Sequence, residues 1–203
     1  MTARRLVPLS GVAAVVLLFA AFAIPGETPD IDASIGEVVS FYVKHDSDMQ
    51  WAGALIALAA VFFVFSSTNV AGLLRRAQGD AGGSSALSFA GGIMFAVGAL
   101  IFAGINFTLG DAANDIQPAA VQTLHVLGQD MFFPLAAGVA VFLLGTGIAV
   151  VKTGALPKWL GWVAIIIGII ALTPGGFFAF MALGIWTLIV SVMLSLRAGR
   201  ETA

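Results

Sequence analysis

His45 and His125 are the two imidazoles of this 203-residue chain, and imidazole is the side-chain type suited to switching charge near neutral pH. His45 stands in His45-Asp46-Ser47-Asp48, at the end of an acidic segment. His125 stands among Gln122, Gln129 and Asp130, and winding this segment at about 100° per residue gathers the four onto an arc of about 140°. Asn106, Asp111 and Asp115 lie near the end of an apolar run. If these segments pack together, His45, Asp48, Asn106, Asp111, Gln122, His125, Gln129 and Asp130 line one pocket. Imidazoles and carboxylates there could ligate a divalent metal through His45, His125 and Asp130, or titrate as a proton-sensitive pair. No cofactor is implied. The favoured reading of the same residues is structural: His125 hydrogen-bonds a loop carbonyl and holds a helix in place, and Asp130 caps a polar segment at the membrane interface. No spacing here is a recognised ligand motif.

Other chemistry is excluded more firmly. Cysteine is absent, which removes disulfides, thiolate metal sites and thiol nucleophiles. Gly79-Asp-Ala-Gly-Gly83 lacks the Lys-Ser/Thr of a phosphate loop, and neither Gly-x-Ser-x-Gly nor His-Glu-x-x-His occurs. No basic face suits nucleic acid. No carboxylate falls near the middle of an apolar run, which argues against a proton- or sodium-coupled transporter, and no catalytic residue is predicted.

The elements that must position these residues are membrane helices. Hydrophobic residues make up 60% of the chain and charged residues 10%, with a mean hydropathy of +1.03, whereas soluble domains carry about 25% charged residues. The sequence predicts an all-α integral membrane protein, a six-helix transmembrane bundle in one domain over 1–203. Spans are expected near 6–24, 51–74, 86–109, 131–151, 159–173 and 177–196. Each approaches the ~20 residues that cross a ~30 Å hydrocarbon core, the fifth being short. Ala21-Phe-Ala23 has the form of a signal-peptide cleavage site, but an uncleaved first span is the preferred expectation. Two polar or amphipathic helices complete the set. One, over 34–48, opens with the capping box Ser34-Ile-Gly-Glu37 and shows an apolar stripe of Ile35, Val38, Val39 and Tyr42. The other, over 118–130, starts at Pro118 and is read as running into the fourth span, to about Val151, without a break.

Charge orients the bundle. With the N-terminus inside, Arg4, Arg5, Arg75, Arg76, Lys152, Lys158, Arg197 and Arg200 are cytoplasmic and Lys44 alone of nine basic residues is outside. Nine of eleven acids fall on the opposite side, with only Asp80 and Glu201 inside. Both termini are therefore expected in the cytoplasm and both polar helices on the extracytoplasmic face. Asp48-Met-Gln-Trp51 and Asp130-Met-Phe-Phe133 each join a polar helix to an inward-running span, a faint internal repeat four residues wide. Small-xxx-small pairs such as Gly92/Ala96 and Ala136/Ala140 mark helix-packing faces, and Ser66-Ser-Thr-Asn69 reads as hydroxyls bonding their own or a neighbouring helix.

Gly154-Ala-Leu-Pro-Lys-Trp-Leu-Gly-Trp162, the apolar run after it and Pro174-Gly-Gly-Phe-Phe-Ala-Phe-Met carry a likeness. Over Phe133 to Leu194 the chain resembles a family of uncharacterised multipass membrane proteins of actinobacteria, with six spans and unknown function. The resemblance implies a bacterial plasma (inner) membrane and supplies no functional residues. The leading functional expectation is a non-catalytic scaffold or accessory protein, in contact with the lipid bilayer and meeting a protein partner, lipid or a second copy of itself through its outer helices. The alternative is a small-molecule, lipid or divalent-metal binding protein with the outer His/Asp pocket. An intramembrane enzyme is the least favoured.

Overall fold

Each long apolar run becomes one helix, and the breaks fall at residues that cannot continue one. In the computed structural model, which describes residues 3–79 and 83–200, the chain forms eight helices and, among these residues, no strand. They are α1 (Ala3–Ala23), α2 (Ile35–Lys44), α3 (Asp46–Gln78), α4 (Gly83–Ala112), α5 (Pro118–Asp130), α6 (Phe132–Thr153), α7 (Lys158–Ile170) and α8 (Gly176–Arg200). Asp80 and Glu201 lie outside the described residues. α3, α4, α8 and the joined segment Pro118–Thr153 are long and apolar enough to cross a membrane, while Pro8–Ala23 and Lys158–Ile170 are shorter apolar helices.

Three expectations about the elements are corrected and a fourth is refined. The polar helix predicted over 34–48 ends at Lys44, because His45 turns the chain and its Nδ1–H donates to the Phe41 carbonyl at 2.9 Å. Asp46 and Asp48 thus belong to the first turn of α3, where negative charge suits the helix dipole. The helix beginning at Pro118 runs to Thr153 as one membrane-length segment, but with a single turn residue at Met131, whose backbone is still αR. Pro134 explains this: it has no N–H for the carbonyl of Asp130, four residues back, and its ring crowds that carbonyl. Asp111 sits in the last turn of α4 rather than in a loop. The segment 159–173 is helical only to Ile170, because Thr173 Oγ1 binds both the Ile170 carbonyl and the Gly175 amide ahead of Pro174. At 13 residues, α7 is about 20 Å long.

The long helices close a ring in the order α1, α3, α4, α6, α7, α8 and back to α1. The tightest seam joins α4 and α6. Gly91 of α4 lies on the backbone of Phe142, and a Cβ on Gly138 of α6 would sit 2.5 Å from the Phe95 amide nitrogen. Small residues let membrane helices approach to backbone contact. The two phenylalanines, each seated on the other helix's glycine, turn their rings inward. There Phe63 meets Phe95 at 4.6 Å and Phe142 at 5.4 Å between centroids, and Phe142 meets Trp186 at 6.0 Å. The Trp186 indole N–H is satisfied by the Leu160 carbonyl at 3.1 Å. The result is an aromatic plug across the middle of the ring. Further along the seam, the Ser88 and Thr146 hydroxyls bond each other at 2.7 Å.

α2 and α5 lie together over one end of the ring. Ser34 caps α2 by accepting the Glu37 amide at 3.3 Å. Val38 and Tyr42 of the predicted stripe are buried, whereas Ile35 is exposed. With Met49, Ile105, Leu109, Ala113 and Val121 they form a second hydrophobic core, separate from that of the ring.

Candidate functional site

The polar face of α5 grips the irregular segment 25–34, which joins α1 to α2. The Gln122 amide donates to the Ala33 carbonyl (3.4 Å), His125 Nε2–H to the Asp30 carbonyl (3.3 Å) and the Gln129 amide to the Pro29 carbonyl (3.3 Å). A segment without regular structure must find partners for its carbonyls elsewhere, and α5 supplies three at positions i, i+3 and i+7. The other imidazole nitrogen, Nδ1, is 2.9 Å from the Tyr42 hydroxyl. The tautomer follows from the partners. A carbonyl can only accept, so Nε2 carries a proton, and when the imidazole holds that one proton Nδ1 accepts from the Tyr42 O–H. His125 is 2% and Tyr42 3% exposed, so this pair locks strap, α2 and α5 together out of contact with bulk water.

Beneath this roof is a cavity of about 450 Å³. Its walls are the ends of the ring helices: Phe19 and Phe22 of α1, Ala52 and Ile56 of α3, Phe102, Ile105 and Leu109 of α4, Phe132 and Leu135 of α6, and Phe177 and Phe180 of α8. The strap contributes Pro25, Gly26 and Thr28. Four larger polar side chains line the otherwise apolar space: Tyr42, Asn106, His125 and Gln129. A narrow slot of about 30 Å³ continues inward from it, sharing Phe19, Phe22, Phe180 and Met181 with the main cavity and ending at the plug residues Phe63 and Phe95. A concave apolar space with a few convergent polar groups is the usual form of a small-molecule site.

Of the residues singled out in the sequence, Asn106, His125 and Gln129 therefore converge on the cavity. Gln122 stands on the same helix but serves the strap. His45 does not join them: its ring stacks on Phe41 at 4.5 Å, bonded back into α2. Asp111 and Asp130 are exposed, Asp48 is half-buried, and none of the three lines the cavity. Among the described residues no group of three or more His, Asp or Glu side chains is placed to hold a metal ion. Tyr42 is the cavity residue that sequence reasoning placed on an apolar stripe and did not assign to the site.

Burial pushes the Tyr42 hydroxyl up from 10.0 to about 12. The folded state thus holds this proton more tightly than the unfolded chain does. Its contribution is fully present below pH 10 and is lost as pH rises from 10 to about 12, a loss on the order of 2–3 kcal/mol. Melts across this range should show that step in the wild type, and Tyr42→Phe should flatten it while lowering stability at neutral pH by about 1–2 kcal/mol, because His125 Nδ1 loses its donor.

Ring, plug and strapped roof define a class: an all-helical membrane protein with a partly open, mostly apolar cavity at one end. Within that class, the chain belongs to the family described as Domain of unknown function (DUF4386), whose model matches residues 6–198. No curated protein and no solved structure matches it.

Proposed function

We propose that this protein spans the bacterial plasma membrane six times, with its basic end in the cytoplasm and its capped, acidic end outside, and that it binds a lipid-like amphiphile in the capped cavity. The charge segregation supports the orientation, since cytoplasmic ends of membrane helices collect Lys and Arg. The short α7 is accommodated in a bilayer by local thinning or by its flanking residues: Trp159 and Trp162 are exposed at one end, beside Lys158. The observation that carries the binding reading is the cavity itself. A space of about 450 Å³, walled by aromatic and aliphatic side chains with a few polar groups at the roof, offers an apolar ligand burial and a polar head somewhere to bond.

Thermal melts of the purified protein against a panel of membrane lipids and small amphiphiles test this. A ligand confined to the folded state adds about 2.7 kcal/mol at 100 times its dissociation constant. The shift should disappear in Ala52→Phe, which fills the cavity wall, while that variant still melts cooperatively. A flat response of the wild type across the panel would overturn the reading.

A further inference from the structure

No carboxylate, ammonium or guanidinium group lines the cavity, and this decides which amphiphile fits. We infer that the cavity selects a neutral, hydroxyl-bearing head group, held near Tyr42, Asn106 and Gln129, with its tail against the phenylalanine walls of the same cavity. This deepens the ligand-binding reading and rests on it.

No Lys, Arg, Asp or Glu lines the cavity or the slot. A buried ion without a counter-charge loses several kcal/mol of hydration that nothing returns, so both anionic and cationic heads are disfavoured inside. The strap over the cavity is acidic as well. Glu27 sits between the lining residues Gly26 and Thr28, and Asp30 and Asp32 are exposed on the same strap. These carboxylates repel phosphate, sulfonate or carboxylate heads held beneath the strap.

The hydrogen-bonding capacity left over favours a hydroxyl. The Tyr42 proton goes to His125, so its oxygen is left to accept. One Asn106 N–H goes to the Phe102 carbonyl (2.8 Å) and one Gln129 N–H to the Pro29 carbonyl (3.3 Å). Each amide retains its oxygen and a second N–H. A hydroxyl both donates and accepts, so it satisfies oxygens and amide protons alike. For the tail, Phe22, Phe102, Phe132 and Phe180 give the main cavity an apolar wall, and its volume of about 450 Å³ is what accommodates the chain.

The test is photo-crosslinking of the full chain in phosphatidylcholine nanodiscs with a diazirine-bearing long-chain alkanol. Unlabelled dodecanol, dodecyl sulfonate and dodecyltrimethylammonium compete at equal membrane concentration; the two ions keep their charge at any pH used. Labelling is expected on α1, α4 and α8, with dodecanol displacing the probe at least tenfold better than either ion. Asn106→Leu should reduce that advantage to threefold or less. Gln129→Leu, at a more exposed position, should act in the same direction and stands in if Asn106→Leu misfolds. An ion that competes as well as dodecanol would overturn the neutral-head inference and leave a binding cavity standing. Labelling that no competitor displaces, or that avoids these helices, would overturn the binding reading itself.

Discussion

Gly138→Ala and Gly91→Ala are each expected to destabilise the bundle by about 3 kcal/mol, the upper end of the range for overpacking. At Gly138 the added methyl would lie 2.5 Å from the Phe95 nitrogen and 2.7 Å from its Cα, and at Gly91 it would meet the backbone of Phe142. A clash with a flexible side chain is relieved by a rotamer change, but a clash with backbone requires two helices to separate. Separation would also loosen the Ser88–Thr146 bond and shift the rings of Phe95 and Phe142, and with them the plug on which the cavity rests. Gly104→Ala is the matched control. It lies in the same helix with nothing within 4 Å of the new Cβ, so it should be neutral or stabilising by up to about 1 kcal/mol. Unfolding of detergent-solubilised protein by a graded denaturing surfactant, followed by far-UV circular dichroism, reads all three variants. A Gly138→Ala as stable as Gly104→Ala would show that the seam is looser than its geometry.

The apolar runs and their length placed the helices because a membrane-length stretch of apolar residues has few alternatives: its backbone must bond within itself. Helix junctions were harder. Pro134 is a plain break signal, yet it lies inside an apolar run, where prolines are tolerated in the first turn of a helix and the irregular turn falls four residues earlier, at Asp130–Met131. His45 lies inside the helix expected over 34–48, but its ring bonds back to Phe41 and ends the helix instead. Periodicity reports which face is apolar and says little about where an axis turns.

The site was legible in part, for a related reason. The arc of Gln122, His125 and Gln129 could be read from spacing alone. That spacing also matches the segment held by α5, whose carbonyls at Pro29, Asp30 and Ala33 take the three side chains in antiparallel order. Tyr42 carried one clue that periodicity ignores: a hydroxyl on a face otherwise made of Ile and Val must find a partner once buried. The carboxylates were misleading because proximity in sequence is not burial. Asp111 and Asp130 stay exposed at helix ends, where water solvates them, instead of facing the apolar cavity. The cavity left no trace in the sequence beyond small residues whose packing partners could not be known.

His125→Ala is expected to cost about 2–4 kcal/mol and to open the roof without unfolding the ring. The imidazole joins three elements at once, accepting from Tyr42 on α2, donating to Asp30 on the strap and projecting from α5. Its removal leaves a buried hydroxyl and a carbonyl without partners, at roughly 1–3 kcal/mol for each group that water cannot reach, together with a void beside Tyr42. The ring helices do not depend on it, because their core lies in a separate cluster around Phe63, Phe95, Phe142 and Trp186. Hydrogen exchange should therefore rise in residues 29–45 and in α5 while α4 and α6 stay protected. Tyr42→Phe, His125→Ala and the double variant form a cycle whose coupling should be about 1 kcal/mol or more, since the two side chains share one buried hydrogen bond. Additive single effects would mean that the pair is adjacent without being bonded. Uniform loss of protection through α4 and α6 would mean that the roof and the ring fold as one unit, so that the cavity could not open at its capped end without the bundle coming apart.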